Sequence, residues 1–180
     1  MKHGVAAIAA CTVLAFGSAA RAQDEEARAW SLSGNIGVVS DYQYRGISLS
    51  GAEPALQGGL TLDAPHGLYF RIWASEIEEY GIDGDGAGAR IAVDLYVGRT
   101  FTAANWDWDV SLVHYGYPDA SNVDYFEIPI SASRTHGAFT GTLGFEYAPS
   151  QDNLGGEDNK YFYIGGDYAP EHWPVSLNAQ

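Results

Sequence analysis

The stretch "RIAVDLYVG", residues 90–98, decides the fold. Ile91, Val93, Leu95 and Val97 take every second position, with Arg90, Ala92, Asp94 and Tyr96 between them. Successive side chains of a β-strand point to opposite faces, so this period of two builds one apolar and one polar face. The same alternation recurs outward in both directions. Before it come the runs from Trp30 to Val38, Leu56 to Asp63 and Leu68 to Ser75. After it come Trp106 to Leu112, Phe126 to Ser133, Phe139 to Tyr147 and Tyr161 to Tyr168, and Val175 to Asn178 begins a ninth strand. No window of useful length keeps a helical period. Pro129 removes one ladder hydrogen bond from its strand, which a bulge accommodates.

The connections have a rhythm of their own. Short ones, 64–67, 100–105, 135–137 and 170–174, follow the even strands, and longer polar ones, 41–54, 76–89, 118–124 and 148–160, follow the odd strands. Strands of this length in a meander of alternating short and long turns describe an outer-membrane β-barrel, with short periplasmic turns and longer external loops. Trp30, Tyr42, Tyr44, Trp73, Trp106, Trp108, Tyr147, Tyr168 and Trp173 lie near strand ends, where interfacial aromatic girdles belong. A soluble sandwich or lipocalin-like barrel shows the same alternation with its apolar face turned inward, so the pattern alone leaves both open.

The first 22 residues read as a secretory signal peptide: Lys2 and His3, an apolar run from Val5 to Phe16, and Ala20-Arg21-Ala22 as the cleavage site. Ile8-Ala9-Ala10 before Cys11 also fits a lipoprotein box, but the apolar run continues past Cys11, which favours cleavage after Ala22. Residues 23–29 then form a short periplasmic segment and 30–180 the barrel. The mature chain holds no cysteine, although it is exported to an oxidising compartment. Without Lys2 and Arg21 it carries seven basic residues against 23 acidic ones, a balance that disfavours nucleic acid as a partner. The expected partners are outer-membrane lipid, the barrel-assembly machinery and periplasmic chaperones in transit, and small solutes.

The polar face carries Asp63, Asp94, Asp107, Asp109, Glu127, Glu146 and Asp167 against Arg71 and Arg90. If it lines water, the lumen is negative and admits cations more readily than anions. The opposing expectation is that these charges pair across a narrow barrel and plug it.

Residues 40–77 carry an ordered set of motifs: Ser40-Asp41-Tyr42, Tyr44-Arg45-Gly46-Ile47-Ser48, Pro54-Ala55-Leu56-Gln57-Gly58-Gly59, and Gly67-Leu68-Tyr69 followed by Trp73-Ala74-Ser75. In this order they resemble the TorF-like porin family of proteobacteria, also described as a conserved family of unknown function. The resemblance implies an outer-membrane barrel acting as a pore of unassigned solute, with no catalytic residues and no cofactor. Beyond residue 77 the likeness is one of rhythm. Barrels of this kind have an even strand number and an aromatic final residue. The chain stops in strand nine at "VSLNAQ", so the expectation is a longer chain of ten or more strands, or closure by strand eight with a periplasmic tail. Arg45 is expected to anchor the first long loop against acids such as Asp41, stacked on Tyr42 or Tyr44, with "SDYQYRGIS" (40–48) ending a strand.

Other constellations read as bland. Asp83-Gly84-Asp85-Gly86-Ala87-Gly88 matches a calcium loop only in part, with Ala87 and Asp94 at ligand positions and no flanking helices. His66, His114, His136 and His172 lack metal-ligand spacing. Asp109, Ser111 and His114 form the nearest hydrolase-like set, but alternation puts His114 on the other face, so no enzyme is expected.

Overall fold

The computed structural model describes residues 30–81, 88–172 and 175–179. The signal peptide, the segment 23–29, the calcium-like stretch from Asp83 to Ala87 and Trp173 lie outside them. The described chain is antiparallel β throughout, with only three single-turn 3-10 segments. The strands are β1 (Ser31–Val39), β2 (Gln43–Tyr44), β3 (Ile47–Ser48), β4 (Ala55–Asp63), β5 (Leu68–Tyr80), β6 (Ala89–Ala103), β7 (Trp106–Gly116), β8 (Tyr125–His136), β9 (Phe139–Ala148), β10 (Asn159–Tyr168) and β11 (Leu177–Ala179). Nine of them form one up-and-down sheet in the order β1-β4-β5-β6-β7-β8-β9-β10-β11, and β2 with β3 makes a separate small hairpin.

The short connections tighten to two residues where backbone chemistry allows. Ala104 and Asn105, both at positive φ (54° and 62°), turn β6 directly into β7, the conformation that matches strand twist. Several strands outrun their apolar alternation. β5 continues through Glu76 to Tyr80, shortening the second long loop to residues 81–88, because ladder hydrogen bonds do not require apolar side chains. Pro129 needs no bulge: the β7–β8 ladder lapses between Val110↔Ile130 and Val113↔Glu127, then resumes in the same register.

The sheet is strongly curled, and its own contacts show it. Tyr42, in the first long loop, packs on Trp73 of β5, while Arg45, three residues on, reaches side chains of β8, β9 and β10. Laid flat, the six strands from β5 to β10 would span roughly 24 Å, more than so short a piece of chain bridges comfortably. Tyrosines opposite glycines help the bend. Tyr69 lies over Gly98 of β6, and its hydroxyl donates to Asp109 of β7 at 2.8 Å. Tyr163 covers Gly144 of β9 in the same way. Any Cβ at either glycine would fall within the tyrosine ring.

The two faces are partitioned inside out. Ile36, Leu60, Ile72, Leu95, Leu112, Phe126, Leu143 and Phe162 point outward and are exposed, Leu95 by 48% and Ile36 by 69%. The concave face instead buries Ser75, Asp94, Ser111 and Glu127, the last to 1% exposure. An apolar core of the sandwich kind is not what this sheet encloses. A compact cluster of Ile77, Ala89, Ala92, Val113, Tyr115, Tyr117 and Ala120 fills the concave side near the long loops.

Candidate functional site

The first long loop, residues 40–54, folds onto the concave face, and its tip forms the site. Asp41 ties its base, accepting hydrogen bonds from Ser48 Oγ (2.6 Å), Gln43 Nε2 (2.7 Å) and Ser50 Oγ (3.1 Å). The Ser48 hydroxyl, then the Gln43 amide, holds the Asp41 carboxyl below its ordinary pKa, since both donate to the charged form. The backbone N–H of Glu78 donates to the carbonyl of Leu49 at 2.6 Å, fastening the loop to β5.

At the tip, Arg45 (φ 50°) and Gly46 (φ 79°) form the two-residue turn between β2 and β3. A side chain in the left-handed region costs about 1 kcal/mol, and the contacts of Arg45 offset it. Its Nη2 donates to Glu127 Oε2 of β8 at 2.6 Å and also to Glu146 Oε2 of β9. The guanidinium sits 4.7 Å from the Tyr44 ring centroid and 4.6 Å from that of Tyr161 on β10. The Tyr44 hydroxyl donates to Glu127 Oε2 at 3.2 Å. One donor stays unused: Arg45 Nε is buried and finds no partner among the described residues, a cost of about 1–3 kcal/mol.

The acids that hold Arg45 are Glu127 and Glu146 rather than Asp41, a correction to the sequence reading, while the expected stacking on Tyr42 or Tyr44 is made by Tyr44. The stretch 40–48 does not end a strand. β1 stops at Val39, and the residues beyond it turn inward as a hairpin, because Tyr44 and Arg45 find partners on the polar face while Asp41 and the serines bond to one another within the loop. Tyr42, Tyr44 and Trp73 accordingly lie inside and belong to no outer girdle. Trp108 does face outward, stacked on Phe101.

Eight of the nine residues expected on the polar face share the concave side by register, while Arg90 lies where the β5–β6 pairing shifts register, beside the buried Ala89. Asp94 and Glu127 are buried, Asp109 and Glu146 half-buried, and Asp63, Arg71, Arg90, Asp107 and Asp167 exposed. Arg45 brings Glu127 and Glu146 together. The others stand apart, most with local company: Asp63 accepts from Ser31, Asp94 from Tyr96, Asp107 from Thr102 and Asp109 from Tyr69, Arg71 donates to Thr61, and Arg90 pairs with Glu79. Toward the short turns a cavity of about 570 Å³ opens, lined by Thr100, Thr102, Asp107, Asp109, Ser131 and Ser133 among others.

Of the other motif residues, Ser40 precedes the hairpin and Pro54 lies just before β4. Gln57 donates to Ser75 at 3.2 Å, and a Cβ on Gly58 or Gly59 would press on the carbonyls of Asn35 and Ile72 of the neighbouring strands. His114 faces outward against Phe126, 3.6 Å from Asp124, away from Ser111. Sequence reasoning passed over the tyrosines, chiefly Tyr115, Tyr125 and Tyr161, although each shares its alternation parity with Glu127 or Glu146.

Fold and site together define a class: an up-and-down antiparallel sheet, apolar outside and polar within, with a loop hairpin latched to its concave face. The chain belongs to a family described as bacterial protein of unknown function (Gcw_chp), whose model matches residues 23–180. Neither the curated proteins nor the solved structures contain a match.

Proposed function

We propose that the protein is an outer-membrane pore through which small cations and neutral solutes diffuse, with the first loop as its constriction. The observation that carries this reading is the inside-out partition of the sheet. Water rarely tolerates so large a contiguous apolar surface, whereas lipid favours it, and a wall presenting alternate apolar residues to lipid encloses a polar interior. The acidic excess of the concave face supports cation preference, since a ring of carboxylates in a confined lumen raises the local cation concentration. The motif set of residues 40–77 supports the same reading through its resemblance to TorF-like porins.

The test is conductance of the protein, purified from outer membranes, in planar bilayers under a salt gradient. A reversal potential of the sign set by cation flow supports the proposal, and anion preference refutes it. The latch of Arg45 on Glu127 and Glu146 favours a second reading, a barrel closed at rest. Under it, intact protein gives no steps while variants without the latch do.

A further inference from the structure

The groups gathered at the hairpin tip make a cation cage whose occupant is the chain's own Arg45. Two carboxylates from neighbouring strands and two tyrosine faces surround one planar cation, the combination that binds guanidinium groups generally. Three features mark Arg45 as an imperfect occupant. One nitrogen, Nη2, serves both carboxylates, so the paired fork a guanidinium can offer goes unused. Nε is buried without a partner among the described residues. The backbone of Arg45 is held in the left-handed region to deliver the side chain. A cavity of about 330 Å³, lined by Gln43, Tyr44, Arg45, Gly46, Glu146 and Tyr161, opens directly against the cage, so a solute can approach Glu146 and Tyr161, with the buried Glu127 reached once Arg45 leaves.

We infer that Glu127, Glu146 and Tyr161 form a recognition site for small solutes bearing a guanidinium group, with Arg45 as the built-in occupant that such a solute displaces. The inference rests on the pore reading for its meaning and narrows it: the substrate class is monosubstituted guanidinium cations, and the hairpin tip is the gate. Tyr44 travels with Arg45, so the fixed part of the site is one side chain from each of β8, β9 and β10. The exchange leaves the loop base in place. Asp41 with its serines, and Leu49 with Glu78, hold the base, while the tip has the two residue pairs of β2 and β3 and the ring contact of Tyr44 with Tyr115.

The full chain carrying Arg45→Ala, in detergent micelles, is titrated with methylguanidinium chloride. Methylammonium chloride and sodium chloride at equal ionic strength are the controls. The expected result is a rise in unfolding midpoint of at least about 2 °C at millimolar methylguanidinium, absent with the controls and lost when Glu127→Gln and Glu146→Gln are added. In bilayers, methylguanidinium reduces the current of Arg45→Ala at concentrations that leave the wild type unaffected, because tethered Arg45 competes at high effective concentration. Equal response to all three salts, or a response that survives the double glutamine change, overturns the inference. Should Arg45→Ala fail to fold, Arg45→Lys keeps the charge without the planar fork. It enters the same titration with the same expected and overturning results. A selective midpoint rise in protein that never conducts retains the site and refutes the pore.

Discussion

Arg45 and Glu146, 101 residues apart in the chain, meet in a hydrogen-bonded ion pair on the concave face of the sheet. The pair joins a loop tip to β9, the seventh strand beyond it, and with Glu127 it fixes where the first loop lies. Glutamine at 127 leaves Arg45 with one charged partner and puts an amide donor in place of one carboxylate oxygen beside the guanidinium and the Tyr44 hydroxyl. Glu127→Gln is therefore expected to lower stability by about 1–3 kcal/mol, read as a leftward shift in urea unfolding followed by heat-modifiable gel mobility. An unchanged midpoint would mean the latch contributes nothing to the fold.

Leu95 points outward in the middle of β6, while Thr100, on the same strand, faces the concave side. If lipid covers the outer face, Leu95→Arg costs about 2–4 kcal/mol and depletes the folded protein from membranes. Thr100→Arg is tolerated. Equal yields of the two variants in washed outer membranes would count against a membrane wall.

Gly98 and Tyr69 stand opposite each other, and the tyrosine ring occupies the space of a Cβ. Gly98→Ala is expected to cost about 1–3 kcal/mol by overpacking. In a Tyr69→Ala background the same change costs much less, because the ring is gone. A double-mutant cycle with no coupling would show that the ring can swing away freely.

The Asp41 anchor has a defined acid limit. Its carboxyl titrates below the ordinary value of about 3.9, so its contribution is complete above that value and is lost as pH falls through the depressed one. Since Tyr42 packs on Trp73, release of the loop should change Trp73 emission only below about pH 3.9. The change should be absent in Trp73→Phe and already present at neutral pH in Asp41→Asn. A transition centred above that range would assign the anchor to another group.

Asp107 and Asp109 project into the wider cavity near the short turns. Replacing both with asparagine removes two negative charges from the proposed lumen, and the reversal potential in a salt gradient is expected to move toward zero. No movement would place the selectivity elsewhere, with Glu127 and Glu146 the next residues to change.

Much of this architecture was legible residue by residue. Ile91, Val93, Leu95 and Val97 announce a strand because alternation of side chains is a local property of extended backbone. The same parity assigns Asp94, Glu127 and Glu146 to one face before any contact is known. The connections around Ala104-Asn105 and Gly137 are short for equally local reasons, a matter of which residues accept positive φ. Strand ends were less legible: Glu76 to Tyr80 carries no apolar alternation, its pairing with β6 shifts register between Glu76 and Tyr80, and Glu78 bonds instead to Leu49 of the first loop.

By itself, then, the sequence determined the strands, their order and which side chains share a face. All of these follow from backbone geometry acting over a few residues. Only the tertiary structure decided that the polar face is the enclosed one, since a period of two reads the same when the sheet is turned inside out. It also decided that residues 40–48 leave the wall and turn inward. Glu127 and Glu146 come within reach of Arg45 only through the register and curl of the strands between them, which no local pattern encodes.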